Sequence, residues 1–221
     1  MERELYTRQE TLELTTPEHL TVVGCGGIGS WVAIYAAMSG VPNIYLYDPD
    51  VLEESNLNRL PFCKSSLNRP KVDVLKDYIN GIREGCTVVA MQEKLDGLLL
   101  KLQLDISNYF IECTDSPRNQ LKLYKACVDN GKKFIRAGYD GTHITVTSTV
   151  SGWMRDEEQE TYDIAPSWVV PASVVAALAV GKMMKYFNQD TSLDISEIGN
   201  PVLEKNRRLT SRCTTPAGVN R

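Results

Sequence analysis

An α/β fold, a doubly wound and mostly parallel sheet with an antiparallel C-terminal extension, is predicted by three observations. Short apolar runs of about five residues alternate with helical stretches in the order β-α-β-α-β, then β-α-β. A glycine-rich turn joins the first apolar run directly to a helix. Beyond residue 140 the pattern changes to a longer run of alternating apolar and polar residues, as a half-exposed antiparallel strand requires.

Residues 1–13 read as a polar helix. Residues 20–23 form a buried strand ending at Gly24, and residues 27–38, small and apolar, a helix lying on a sheet. Residues 43–47 are β-branched and aromatic, a second strand ending at Asp48. Residues 69–82 place Val72, Leu75 and Ile79 on one helical face. Residues 87–91 are a third strand and residues 109–113 a fourth. Residues 117–129 form a helix opened by Pro117, and residues 133–136 a fifth strand. From 142 to 150, Ile144, Val146, Ser148 and Val150 share one face, with Thr145, Thr147 and Thr149 on the other. Residues 151–164 are polar and acidic and read as an exposed connection. Residues 166–187 are expected to be a long apolar helix, kinked or started at Pro171. The last 34 residues read as short strands and a polar tail, mobile from about residue 200. The whole chain, residues 1–221, is expected to be one domain. It divides into the N-terminal helix, a nucleotide-binding core over 20–137, acceptor-side elements over 142–199 and the tail.

Composition narrows the function. Hydrophobic residues make up 43% and charged residues 24%, as in an ordinary globular chain able to bury a sizeable core. Net charge is −4, from 24 basic and 28 acidic residues, which argues against affinity drawn mainly from phosphate backbones. The longest apolar stretch, residues 169–180, contains Pro171 and Ser173 and falls short of the roughly 20 residues a membrane span needs. The six cysteines (Cys25, Cys63, Cys86, Cys113, Cys127, Cys213) form no C-x-x-C pair, so no structural zinc is expected. The start, Met1 to Tyr6, is charged and unlike a signal peptide. Reduced thiols and a cytoplasmic location are therefore expected.

The segment Gly24-Cys25-Gly26-Gly27-Ile28-Gly29 is a G-x-G-x-x-G turn between strand and helix, the mark of a Rossmann-like nucleotide site. Glycine lets the backbone approach a phosphate, and the helix N-terminus offers free N–H groups and partial positive charge. Asp48, 19 residues past Gly29, ends the next strand, where a carboxylate can accept from a ribose. The turn alone does not separate NAD from ATP. The residues that follow do: the cations Arg59, with Asn56 three residues before it, and Lys71 at the start of a helix suit the concentrated charge of a triphosphate. An NAD-dependent oxidoreductase is disfavoured, because the two histidines, His19 and His143, read as structural or surface residues.

The chain resembles the E1-like superfamily of adenylating enzymes: ThiF, MoeB and the adenylation domains of ubiquitin-activating enzymes. The matching pieces are Tyr6-Thr7-Arg8-Gln9, Gly24 to Gly29, Asp48-Pro49-Asp50, Ser55 to Arg59, Pro70-Lys71-Val72 and Glu112 to Ser116, in family order over roughly residues 1–187. The resemblance implies that Gly24, Gly26, Gly27, Gly29, Asp48, Asp50, Asn56, Arg59 and Lys71 bind ATP, with Asp48 on the ribose. Asn56, Arg59 and Lys71 would grip the phosphates. Asp115 would hold Mg²⁺ near the α-phosphate. Arg8 would act in the neighbouring subunit of a homodimer, so that Arg8, Arg59, Lys71 and Asp115 are the catalytic set. The implied reaction is attack of a carboxylate on the α-phosphate, giving an acyl-adenylate and pyrophosphate, with a ubiquitin-like or sulfur-carrier protein or a peptide as acceptor. For Asp115, a role as helix N-cap before Pro117 is the competing reading.

The chain departs from the family in three ways. It lacks the paired C-x-x-C zinc ligands. Its crossover segment, residues 151–164, holds no cysteine for a thioester. No ubiquitin-fold or large catalytic-cysteine domain is expected in it. Cys25, Cys113 and Cys127 read as inert core thiols, Cys63 and Cys213 as exposed ones outside family positions. Adenylation without an own thioester is therefore expected. A tRNA-modifying dehydratase of the same superfamily and a non-catalytic dimeric scaffold are the alternatives.

Overall fold

The structure, a computed structural model, describes residues 2–150 and 167–195. Among these residues seven strands form one sheet: β1 (His19–Val23), β2 (Asn43–Tyr47), β3 (Thr87–Met91), β4 (Tyr109–Glu112), β5 (Lys133–Asp140), β6 (His143–Thr147) and β7 (Thr191–Asp194). Their order is β3-β2-β1-β4-β5-β6-β7. The first five run parallel, while β6 and β7 are antiparallel additions at one edge. This is the doubly wound sheet with antiparallel extension that the sequence predicts.

Among the described residues six α-helices surround it: α1 (Glu2–Tyr6), α2 (Gly27–Met38), α3 (Lys71–Ile82), α4 (Gly97–Ile106), α5 (Pro117–Asp129) and α6 (Val169–Met183). α2 lies against both the sheet and α6, so it is apolar nearly all round: nine of its residues, including Val32, Ile34 and Ala36, are buried. With α3 and α6 it closes the larger core over Leu20, Val22, Ile44, Leu46, Ile111 and Ile135. The alternate residues of the same strands, Val23, Phe110 and Phe134, face a smaller core with Leu104 of α4 and Leu123 and Cys127 of α5.

Because β1 is flanked by β2 and β4, successive crossovers leave it toward opposite faces. A crevice therefore opens beyond the carboxyl ends of β1 and β4, the topological switch point where such sheets bind ligands.

Several expected boundaries shift. Residues 1–13 are not one helix. α1 ends at Tyr6, and a single 3-10 turn (Glu10–Leu12) follows and ends at Glu13, whose φ of 51° is left-handed. Tertiary contact sets this shape: Gln9 Nε2 donates to the carbonyl of Ser39 at 2.9 Å, and the Tyr6 ring lies over Gly40. α3 begins at Lys71 rather than residue 69, because Pro70 stands at its N-cap with extended ψ. β5 continues to Asp140, pairing with β6 through Gly138 and Tyr139. Pro171 sits in the first turn of α6, where its missing N–H costs no helical bond. α4 went unread in the sequence. It buries chiefly Gln103 and Leu104 and leaves Leu98 (70% exposed), Leu102 (52%) and Ile106 (44%) on its outer face, so its apolar residues do not mark its core side. The crossover 151–164 and the tail from 200 lie outside the described residues.

Candidate functional site

The glycine-rich turn follows β1 and opens α2. Gly24 has φ +86°, in the left-handed region that favours glycine. A Cβ on Gly29 would stand 1.7 Å from the Gly24 carbonyl oxygen, so the turn closes only because residue 29 has no side chain. Gly26, the N-cap of α2, has nothing within 4 Å of where its Cβ would be. Its outer side is open, as a cradle for a phosphate must be.

Asp48, buried at the end of β2, ties this turn to the sheet. Its Oδ2 accepts from the Cys25 N–H at 2.6 Å and its Oδ1 from the Asp50 N–H at 2.8 Å. Burial pushes the Asp48 carboxyl up from its ordinary value, against the opposing pull of these two N–H groups and of Lys71. A carboxylate has about four lone-pair sites, so two bonds leave capacity for a ribose hydroxyl. Asp50 in turn accepts from Lys71 Nζ at 2.8 Å; the lysine is nearly buried, the aspartate mostly exposed.

Arg59 reaches the turn from the loop after β2. Its Cδ would lie 2.9 Å from a Cβ on Gly27, so its alkyl stem rests on that glycine. Nη1 donates to the Ser55 carbonyl and to Asn58 Oδ1, both at 2.9 Å. Trp31 Nε1, from α2, holds the Arg59 carbonyl at 2.8 Å. Asn56 is buried in a 3-10 turn (Glu54–Asn56), where its Oδ1 accepts from the Glu53 N–H at 3.2 Å in a reciprocal cap.

On the other side of the crevice β4 ends in Glu112, and the chain turns through Thr114 and Asp115 into α5. A Cβ on Gly24 would stand 3.0 Å from the Thr114 methyl, so the two turns touch. Asp115 is exposed. It does not cap α5, as the competing reading had it. The cap is Ser116, whose Oγ accepts from the Asn119 N–H at 3.4 Å.

The structure thus brings Gly24, Gly26, Gly27, Gly29, Asp48, Asp50, Arg59, Lys71 and the Asp115 turn to one crevice, with Asn56 in the adjoining loop. It does not bring Arg8 there. Arg8 is exposed between Tyr6 and Gln9, which contact Gly40 and Ser39 just past the C-terminus of α2. The glycine turn is at the other end of that helix, about 18 Å away at 1.5 Å per residue.

Sequence reasoning quoted Glu112 and Thr114 within a motif but gave them no role, and it missed Gln120 and Arg136 behind the Asp115 turn. The available signal was a carboxylate and a guanidinium ending otherwise apolar strands, at positions that pair across β4 and β5. Glu112 is fully buried, and its Oε2 has no hydrogen-bond partner. Burial pushes its carboxyl up to about 8, against the Thr114 donors and the nearby Arg136.

That shift predicts a pH dependence. The unfolded carboxyl ionises near 4.5 and the folded one near 8, so the folded chain holds this proton more tightly. Its contribution to stability is fully present below 4.5 and is lost as pH rises through 8. Glu112→Gln, which removes the ionisation, is expected to melt close to wild type at pH 5 but several degrees higher, on an order-of-magnitude basis, at pH 8.5. Melting curves at the two pH values check this.

The five cysteines among the described residues are free. Burial pushes the Cys25 and Cys113 thiols well up, Cys86 to about 11 and Cys127 to about 12, as inert core thiols require. Cys63 is exposed; Cys213 lies outside the described residues. His19 bonds the Tyr45 hydroxyl at the far end of β1, and His143 faces Ser192 on the β6–β7 pair, both away from the crevice. Among the described residues no helix is long and apolar enough to cross a membrane, and no group of three His, Cys, Asp or Glu could hold a metal unaided. One carboxylate with substrate phosphates is nevertheless a usual Mg²⁺ environment, and exposed Asp115 beside the glycine turn fits it.

The chain is 29% identical over 130 residues to the sulfur carrier protein ThiS adenylyltransferase of Escherichia coli (57% of this chain, 52% of the relative). It is 33% identical over 127 residues to the tRNA threonylcarbamoyladenosine dehydratase of Bacillus subtilis (57% and 50%). It is 34% identical over 109 residues to the molybdopterin-synthase adenylyltransferase of Haemophilus influenzae (49% and 45%). In each case the match spans about half the length of the relative. Among solved structures, E. coli MccB superposes with a TM-score of 0.70 at 19% identity, covering 88% of this chain and 70% of MccB. The MccB complex with ATP gives 0.64 at 21% identity, covering 81% and 61%. These likenesses establish the shared fold. The ThiF family as a whole matches residues 5–210. The chain therefore belongs to the ThiF family and, with it, to the E1-like superfamily.

Proposed function

We propose that the protein is an ATP-dependent adenylyltransferase. It activates the C-terminal carboxylate of a ubiquitin-like or sulfur-carrier protein, or of a peptide, as an acyl-adenylate and releases pyrophosphate. The observation that carries this reading is Arg59 lying on Gly27 of an open phosphate turn, with the Lys71–Asp50 pair beside it. A dinucleotide needs no such concentration of cations, whereas a triphosphate does. The substrate supplies the nucleophile, so the protein acts by positioning and charge neutralisation. Asp48 accepts from the ribose, and Arg59, Lys71 and the Asn56 amide neutralise and orient the phosphates. Asp115 would hold Mg²⁺, which would supply charge neutralisation at the phosphates. Arg8, far from the crevice of its own chain, serves the partner's site in a homodimer. The chain works in the cytoplasm and forms no thioester of its own, since its crossover segment has no cysteine.

Lys71→Ala and Arg59→Ala are each expected to weaken ATP binding by about 1.5–3 kcal/mol, the worth of a charge-assisted bond. Stability should change little in Lys71→Ala, because the Asp50 left behind is mostly exposed. Calorimetric titration with ATP, alongside melting curves, checks both.

A second reading, dehydration of a carboxylate-bearing modified adenosine in tRNA, is favoured by the 33% identity to the B. subtilis dehydratase. ATP–pyrophosphate exchange separates the two. Stimulation by a small protein or peptide carboxylate supports the first reading. Stimulation by tRNA alone supports the second. ATP binding with no exchange under any acceptor overturns both and leaves a scaffold.

A further inference from the structure

Buried side chains from β4, α5 and β5 converge on Thr114, the residue immediately before Asp115. Glu112 Oε1 accepts from the Thr114 N–H at 3.0 Å and also from the Thr114 hydroxyl. Gln120 Nε2 donates to the Thr114 carbonyl at 2.6 Å. Gln120 Oε1 accepts from Arg136 Nε at 2.9 Å, and Arg136 Nη1 donates to Thr145 Oγ1 at 3.0 Å. Both backbone polar groups of one turn residue are therefore held by side chains, and those side chains are anchored across to β6. On its other side the Thr114 methyl lies against Gly24 of the phosphate turn.

A network of this kind fixes orientation. Its buried members are offset only by bonding one another, so the geometry they share is sharply specified. It also carries a cost: Glu112 Oε2 is buried without a partner, which an apolar strand end would avoid. Costs of this kind collect where a fixed geometry serves chemistry.

We infer that Glu112, Gln120 and Arg136 form a positioning clamp on Thr114 that sets the Asp115 carboxylate against the phosphate turn for the metal ion of the nucleotide. This rests on the reading of Asp115 as the residue that holds the metal. Glu112, Gln120 and Arg136 touch neither metal nor substrate. They act through Thr114, as the outer-shell partners of a metal ligand do.

The test uses the full chain saturated with the non-hydrolysable analogue AMPCPP, with Mn²⁺ as a paramagnetic probe. Free Mn²⁺ is read by electron paramagnetic resonance, and analogue affinity without metal by calorimetry. Glu112→Ala and Thr114→Val are each expected to weaken Mn²⁺ about 10-fold or more, the usual range for outer-shell partners, with analogue affinity changed far less. Glu112→Gln, which keeps an acceptor at Oε1, and Thr114→Ser, which keeps the hydroxyl, should recover most of that loss. Thr114→Val is isosteric, so it reports even if Glu112→Ala fails to fold. Wild-type Mn²⁺ affinity in Thr114→Val, with affinity lost in Asp115→Ala, overturns the clamp and leaves the site reading standing. Wild-type Mn²⁺ affinity in Asp115→Ala overturns the site reading and the clamp with it.

Discussion

Gly29→Ala is expected to lose both stability and nucleotide binding, while Gly26→Ala loses binding alone. At residue 29 the added Cβ would sit 1.7 Å from the Gly24 carbonyl oxygen, which belongs to the backbone and cannot rotate away. Overpacking typically costs about 1–3 kcal/mol, and a backbone clash belongs at or above the upper end. For a chain of this size that corresponds to a fall in Tm of roughly 6–12 °C. At residue 26 the added methyl meets nothing within 4 Å, and φ is −77°, which alanine adopts readily. Gly26→Ala should therefore melt like wild type. Saturating ATP should raise the wild-type Tm, since a ligand at 100 times its Kd contributes about 2.7 kcal/mol. The methyl of Gly26→Ala occupies the space proposed for a phosphate, so this variant should show almost none of that rise. Thermal melts with and without ATP read both variants in one experiment.

Asp115→Ala is expected to stop adenylate formation without unfolding the chain. The side chain is exposed and leaves the capping of α5 to Ser116, so its removal strips no structural bond of that helix. The effect on turnover should be large, on the order of 10²–10³ in kcat, the range seen when one preorganised electrostatic contact to a reacting centre is removed. Pyrophosphate exchange with a competent acceptor measures it. A melting temperature unchanged from wild type distinguishes a lost contact from a lost fold.

Much of the fold was legible because local chemistry and tertiary structure agree. The helix over 27–38 is announced by glycines before it, and that over 117–129 by Pro117 in its first turn, although its cap is Ser116 and not Asp115. The strands 43–47 and 87–91 are short β-branched or apolar runs that the structure pairs in register. Legibility failed where distant residues decide. Tyr6 and Gln9 are held by Gly40 and Ser39, and this breaks a stretch that reads as one polar helix. α4 was hidden because Leu98 and Leu102 face outward while the polar Gln103 docks it beside Leu104, donating to Thr21 and Ser107 and accepting from the Tyr47 hydroxyl.

The site divides in the same way. The glycine turn, Asp48, Arg59 and Lys71 are readable as motif residues because their spacing along the chain follows from strand–turn–helix geometry. That Asp48 fastens the turn through the Cys25 N–H, or that Lys71 pairs with Asp50, is set by contacts across more than 20 residues. The clamp on Thr114 is less readable still, since Glu112, Gln120 and Arg136 meet only once β4, α5 and β5 are assembled.

The central claim is attack of an acceptor carboxylate on the α-phosphate of ATP, and oxygen tracing tests it most directly. A candidate carrier protein or peptide with an ¹⁸O-labelled C-terminal carboxylate is incubated with the enzyme, Mg²⁺ and ATP. The acyl-adenylate is then intercepted by an amine, and the released AMP is weighed by mass spectrometry. Adenylation predicts one ¹⁸O in AMP and none in pyrophosphate. Label in inorganic phosphate with ADP as co-product would contradict it, because the carboxylate would then have attacked the γ-phosphate.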